Sequence, residues 1–369
     1  MEDHQILYHE TMMAGGALFF FASLFLLLFM LQLIIRTKKQ HQSLSVRRCP
    51  NPNCIRCQRY KTVQQSAAQR LPHLIREWQR SITTSTGTSS SISSSKETKE
   101  DATNRELGRI IDGVNSGPPP LPNTTSWTFQ KRLNAVGQYP TVLFIPRLPV
   151  HAIATSIHQH ACDLLLASSS IHTGNTSKEV HLSNQEDLME EYLNSQFNGG
   201  EWQNNDAGAL HPTNPNQLWE VLYLMNQGKW MKENTRLCSK TYSLMKQLPG
   251  LMENCMFGNI FFSVLYPGTS ILSHCGPTNV RHRLHFPLLV PSHKDGASHA
   301  PLLKVNGKMM SWTENEPFVF DDSLAHAAEY PDNSESEVRV VLVVDLWHPD
   351  LTLDERQMIS GLYPSVISD

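Results

Sequence analysis

The chain has 369 residues, 40% of them apolar, enough to bury the core of one large domain or two ordinary ones, which excludes a wholly disordered protein. Charged residues make up 18% and the formal net charge is -3, so nucleic acid is excluded as a partner on global electrostatics. Histidine occurs 17 times, and a single His therefore carries weight only with geometric context.

Residues 1–13 form a short tail containing Glu2, Asp3 and Glu10 and no Lys or Arg. Ala14 to Ile35 follows without a charge, about 33 Å long as a helix, and is read as a transmembrane span in contact with lipid. The acidic start and the length argue against a cleaved signal peptide. A single-pass membrane protein is expected. Arg36, Lys38, Lys39, Arg47 and Arg48 follow the span, which by the positive-inside rule puts the C-terminal part in the cytosol. Asn123 in "NTT" and Asn175 in "NTS" are glycosylation acceptors that would need a lumenal face instead.

Residues 36–138 read as a juxtamembrane stalk and a Ser/Thr/Pro-rich linker. Cys49, Cys54 and Cys57 are spaced C-x4-C-x2-C, which suits zinc if His41, His73 or a partner chain completes the set. A redox pair, a disulfide or palmitoylated cysteines fit the same spacing. "VQQSAAQRLPHLIREWQR" has helical spacing, with Leu71, Leu74, Ile75 and Trp78 on one face and Pro72 interrupting it. "SITTSTGTSSSISSSKETKED" and "SGPPPLP" then read as flexible and extended linker.

From residue 139 to 369 the composition is that of a globular domain. "ATSIHQHACDLLLASS" predicts a helix with Ile157, Ala161, Leu164 and Leu165 inward, and Glu186 to Leu193 a second, short one. "NQLWEVLYLMNQGKW" predicts a strand ending in a turn at Asn226 to Gly228, and "CSKTYSLMKQL" a helix stopped by Pro249-Gly250. Beyond Gly250 come strands at short intervals: "GNIFFSVLYPG", "RLHFPLLVP", "APLLKVNGK", "EPFVFDD" and "EVRVVLVVDLWHP". The fold expected is mainly β, a double-stranded β-helix (jelly roll, cupin-like) with helices of the 150–250 region against one sheet.

His274 and His326 each stand at the end of a β segment, and two imidazoles converging there suit Fe(II), Zn(II) or Ni(II). In the 2-His-1-carboxylate triad a carboxylate stands two residues after the first His; here that residue is Gly276. The set is then short by one, leaving open a water in the gap or Asp322 acting at one remove by orienting that water or His326. Asp321 and Asp322 equally fit an Asx turn closing the strand. Arg283, His285 and Arg339 are placed to bind a dicarboxylate, because period-two alternation puts Arg281, Arg283 and His285 on one face and Arg339 inward with Val341 and Val343. Trp312 and Trp347 read as core.

"HCGPTNVRHRLH", "FDDSLAH" and "VDLWHP" resemble the motifs of the aspartyl/asparaginyl β-hydroxylase family, across about residues 219–350. The short membrane-anchored layout with "CPNPNCIRC" is most similar to the aspartate β-hydroxylase domain-containing branch. The resemblance implies Fe(II) held by His274 and His326, with Gly276 in the carboxylate's place. It also implies a 2-oxoglutarate site of Trp219, Ser263, Arg283, Leu284, His285 and Arg339, with O2 as cosubstrate. The implied reaction hydroxylates the β-carbon of Asp or Asn in a protein substrate and yields succinate and CO2; the implied location is the secretory lumen. The alternative is a tethered jelly roll that binds a metal or a carboxylate ligand without turnover.

Overall fold

The computed structural model describes residues 55, 59–85, 99–116, 142–171, 180–205, 217–291, 300–332 and 337–365. The chain divides into units 1–47 and 48–369, and every described residue lies in the second. The first two helices are α1 (Tyr60–Ser85) and α2 (Lys99–Ser116). A 3-10 turn at Thr155–His158 leads into α3 (Gln159–Leu166), followed by the hairpin β1 (Ser168–Ile171) and β2 (Val180–Ser183), then α4 (Asn184–Phe197). The chain continues through β3 (Gln203–Asn204), β4 (Trp219–Asn226), β5 (Lys229–Trp230), α5 (Lys232–Leu237) and α6 (Ser239–Met245). The β4–β5 turn has φ of 49° at Gln227 and 78° at Gly228, the two left-handed residues of a type I′ hairpin. Only glycine fits at 228, because a Cβ there would stand 2.5 Å from the Cys255 carbonyl oxygen.

The remaining strands are β6 (Ile260–Leu265), β7 (Ser270–His274), β8 (Arg281–Leu289), β9 (Leu302–Val305), β10 (Lys308–Ser311), β11 (Phe318–Phe320), β12 (His326–Glu329) and β13 (Arg339–Trp347), with α7 (Leu353–Leu362) closing the chain. One sheet has the order β11-β8-β13-β6-β4-β3 and the other β10-β9-β12-β7. From β6 onward the chain crosses between sheets at each connection except the β9–β10 hairpin, which is the winding of a jelly roll. Alternation divides the larger sheet into two faces. Leu284, Phe286, Leu342, Val344, Phe262 and Val264 pack outward beneath α3, α4 and α6, while Val221, Phe261, Val341 and Val343 face the smaller sheet's Ile271, Leu303, Val305 and Ala328. Ala161 and Leu165 of α3 are buried as expected, but Ile157 is 43% exposed, because the first turn is 3-10 and rotates it off the buried face.

Helices α1 and α2, within the stretch read as stalk and linker, build a third core with α7. Val63, Leu71, Leu107 and Ile110 are buried with Leu143, Phe257, Trp347, Ile359 and Tyr363, and α1 runs through Pro72 without ending. Arg109 of α2 binds the carboxylate of Glu355, which also closes the Thr352 capping box at the start of α7. A fragment beginning at residue 139 loses these helices, and each deleted aliphatic takes with it about 1.5–3 kcal/mol of burial. Its calorimetric unfolding midpoint is expected well below that of a fragment beginning at residue 55; equal midpoints would show that the helices add nothing.

One expectation is corrected here. The chain was read as a single-pass membrane protein, yet among the described residues no helix is long and apolar enough to cross a membrane. The longest, α1, carries Lys61, Arg70, Arg76, Glu77 and Arg80 and buries a single stripe. The segment 14–35 itself lies outside the described residues, as do Cys49, Cys54, Cys57, Asn123 and Asn175.

The segment before α3 is fastened by imidazoles. His158 Nε2 lies 3.0 Å from His282 Nδ1, the His282 and His348 rings are 4.5 Å apart, and His151 packs against both. Burial, reinforced by His348, pushes His158 down to about 4 and His282 down to about 2. Both are neutral when folded and charged when unfolded below their ordinary pKa, so the unfolded chain binds more protons on acidification. Stability is then full above about pH 6.5 and is expected to fall by about 2 kcal/mol per histidine by pH 5, read as a falling urea midpoint that His158→Gln makes less steep.

Candidate active site

The strand register brings two imidazoles together. His326 of β12 is the direct partner of His274 on β7, so both rings project from one face, with centroids 4.2 Å apart. An extra residue on β7 between His274 and Ile271 shifts the register beside this pair, a bulge of the kind that re-aims side chains. Nδ1 of His274 is 2.8 Å from the Leu272 carbonyl and Nδ1 of His326 is 2.9 Å from that of Leu324. A carbonyl only accepts, so each Nδ1 carries the proton and each Nε2 holds a lone pair, the form an imidazole needs to ligate a metal. The two residues fit a metal as a pair. Among the described residues no group of three or more His, Cys, Asp or Glu is arranged to hold one.

A cavity of about 460 Å³, including space open to solvent, lies between the sheets. Trp219, Ser263, Arg283, His285 and Arg339 line it together with His274 and His326. Leu284 does not: alternation turns it to the outer face, buried with Phe286 and Leu342 under the helices, a correction to the run Arg283 to His285.

Arg339 is 2% exposed, and burial pushes its pKa down to about 9. Its Nη2 donates to Ser263 Oγ at 3.2 Å, its guanidinium lies 4.7 Å from the Trp312 ring centroid, and its Nε has no hydrogen-bond partner. Among the described residues it forms no ion pair. Ser263 Oγ also accepts from Trp219 Nε1 at 3.0 Å; with two N–H groups on its lone pairs, the hydroxyl has only its proton to offer. His285 Nδ1 accepts from Trp312 Nε1 at 3.1 Å, which places the ring proton on Nε2. Burial, with Arg339 and Arg283 nearby, holds His285 well below its ordinary pKa, so the ring is neutral. Three cavity-lining side chains thus present donors.

The remaining charges are matched. Arg281 binds Asp322 through Nε at 3.1 Å and Nη2 at 2.5 Å, and reaches Asp345 at 3.0 Å; Arg283 grips Asp345 through Nε at 2.8 Å and Nη2 at 3.1 Å. Although burial alone would raise its pKa, Arg281 and Arg283 hold Asp322 far below the ordinary carboxylate range. Asp321 makes the Asx turn, accepting from Ser323 N at 2.9 Å, while Asp322 takes the ion pair. The "PTN" of the motif is structural: Asn279 both accepts from and donates to the backbone of Ile145, at 2.8 and 2.9 Å. Two residues of the site escaped the sequence reading. Asp345 shares period-two alternation with Arg339, Val341 and Val343, a signal that was there to use; Trp312 sits after β10, where no periodicity marks it.

Gly276 lies against Asp322, donating from its backbone N to the Asp322 carbonyl at 2.6 Å. A Cβ at 276 would stand 2.4 Å from Asp322 Oδ2, and Arg281 pins that carboxylate from the other side. The place of the absent carboxylate is therefore filled from behind. Gly276→Ala is expected to cost about 1–3 kcal/mol by overpacking, and Gly276→Asp more, since it sets a second carboxylate against Asp322. Denaturant titration checks both; an Asp variant as stable as wild type would contradict the packing.

Residues 182–349 match the model of the family described as "Aspartyl/Asparaginyl beta-hydroxylase". The human aspartate beta-hydroxylase domain-containing protein 2 is 29% identical over 316 residues, 85% of this chain and 70% of that protein. Its Xenopus tropicalis counterpart is 31% identical over 258 residues, 70% of this chain and 60% of that one. The human aspartyl/asparaginyl beta-hydroxylase is 31% identical over 144 residues, 39% of this chain but only 18% of that protein's length. The two strands that carry His274 and His326, the cavity between the sheets and the "HCGPTNVRHRLH" run all fall inside the matched segment, and it is through this segment that the chain is similar to the aspartyl/asparaginyl β-hydroxylases.

Proposed function

We propose that the chain is an Fe(II)- and 2-oxoglutarate-dependent dioxygenase that hydroxylates Asp or Asn, at the β-carbon, in a protein substrate. The observation that carries this reading is the buried guanidinium of Arg339, which forms no ion pair among the described residues and is flanked by Ser263 and His285 as further donors. A buried cation without a counter-charge is costly. A carboxylate satisfies it, and Arg339, Ser263 and His285 together offer the donors one carboxylate accepts. That the same cavity is lined by His274 and His326 points to a ligand that meets a metal at one end and a cation at the other.

Fe(II), which His274 and His326 would hold, would supply the coupling of O2 reduction to oxidation of 2-oxoglutarate, so that substrate C–H, O2 and 2-oxoglutarate would become substrate C–OH, succinate and CO2. The chain's own part is position and environment. The Leu272 and Leu324 carbonyls hold both imidazoles in the ligating tautomer, Arg339 fixes the distal carboxylate, and Phe261, Ile271, Leu303 and Val343 keep the cavity wall apolar. Arg283 is neutralised by Asp345 and serves as a wall. The match of residues 182–349 to the aspartyl/asparaginyl β-hydroxylase model supports Asp or Asn as the substrate side chain.

The test is succinate formation from 2-oxoglutarate by the full chain with Fe(II), against peptides containing Asp or Asn, with the product peptide heavier by one oxygen. His274→Ala is expected to abolish turnover, and Arg339→Met to raise the KM for 2-oxoglutarate on the order of 100-fold. Wild-type protein that binds 2-oxoglutarate yet forms no succinate with any such peptide would make the chain a binder and not a hydroxylase.

A further inference from the structure

We infer that Trp312 is the positioning residue that makes this pocket select an ionised distal carboxylate, by holding His285 as a hydrogen-bond donor and bracing Arg339. The inference rests on the cosubstrate reading above. Trp312 follows β10 and is 4% exposed. It touches both groups through different parts of one indole. Its edge N–H meets His285 Nδ1 at 3.1 Å with the rings inclined by only 15°, the near-coplanar arrangement an N–H···N bond in the imidazole plane requires. Its face lies 4.7 Å from the Arg339 guanidinium carbon, where the ring quadrupole stabilises a cation that forms no ion pair among the described residues.

A neutral imidazole can present either a donor or an acceptor. The indole removes that choice, because an N–H cannot accept, and Nδ1 must then be the bare nitrogen. Trp219 does the same for the Ser263 hydroxyl. With Arg339, His285 and Ser263 all donating, a carboxylate is matched, whereas an amide brings an NH2 against donors and leaves them unsatisfied. Discrimination of this kind reads a proton pattern, and the element that sets the pattern lies behind His285, away from the bonds it makes to ligand.

The test uses the full chain with isotope-labelled histidine, and His285 is assigned by loss of its signals in His285→Asn. In the wild type, the nitrogen shifts of His285 are expected to show Nε2 protonated and Nδ1 bare, without any variant having to fold. In Trp312→Phe, which keeps the aromatic face over Arg339 and loses the N–H, the two shifts are expected to move toward each other as the tautomers mix. Affinity for 2-oxoglutarate, measured anaerobically with Fe(II) by calorimetry, is expected to fall about tenfold, and the preference over the amide of its distal carboxylate to narrow by a similar factor. A wild-type His285 protonated on Nδ1, or His285 shifts that do not respond to Trp312→Phe, overturns the inference. If the wild type binds no 2-oxoglutarate while its His285 still responds to Trp312→Phe, the reading of the pocket falls and the hold of Trp312 on His285 stands.

Discussion

The polar groups of the site depend on one constraint, the register of β8 against β13. Val343 is paired with His285 and Asp345 with Arg283, so Arg339, Val341, Val343 and Asp345 share a face with Arg283 and His285. A slip of one residue would turn all of them into the helix layer and bring Leu284, Phe286 and Leu342 into the cavity. Burial forbids the slip: the outward side chains are almost wholly inaccessible under α3, α4 and α6. A bulge between Val340 and Val341 absorbs an extra residue on β8 next to Pro287, a residue that a regular ladder position would not tolerate. It leaves Arg339 at one end of β13, beside Ser263 and Trp312.

Charge follows the same strand. Asp345 sits six positions beyond Arg339 on β13, roughly 20 Å away at strand rise. Asp345 and Asp322 are therefore spent on Arg281 and Arg283 at the far end, too distant to neutralise Arg339. The two ends of one inner face have opposite characters, one a closed network of two guanidiniums and two carboxylates, the other a lone cation over an aromatic ring. The closed network braces the β11–β12 turn through Asp322 and reaches the cavity wall through Arg283.

Much of this was legible in the sequence for definite reasons. The strands after Gly250 were marked by apolar runs between Gly, Pro and Asn, and the inward set Arg339, Val341 and Val343 followed from alternation alone. Leu284 went astray because a run was taken whole where the period of two splits it. The core role of α1 was hidden because Leu71, Leu74, Ile75 and Trp78 show an apolar stripe but not what covers it; the covering residues, Trp347, Ile359 and Tyr363, lie nearly three hundred positions on. Trp312 was unreadable for a related reason. Its partners are 27 residues back, at His285, and on β13, and only the folded sheet makes them neighbours.

The glycine at 276 ties the site's geometry to its electrostatics. A carboxylate at that position would stand by His274 as an anion; instead the nearby anion, Asp322, lies against Gly276 and is bound bidentately by Arg281. His274 and His326 line the cavity, no group of three or more His, Cys, Asp or Glu among the described residues is arranged to hold a metal, and Arg283 is cancelled by Asp345. The charge left over inside the cavity is that of Arg339. An anionic ligand entering meets a net positive wall, and in a space this buried that single charge is worth more than several at the surface. Placing a carboxylate on residue 276 would therefore disturb the Arg281 pair and also lower the positive potential at Arg339, which forms no ion pair among the described residues, so the glycine and that guanidinium belong to one arrangement of charge.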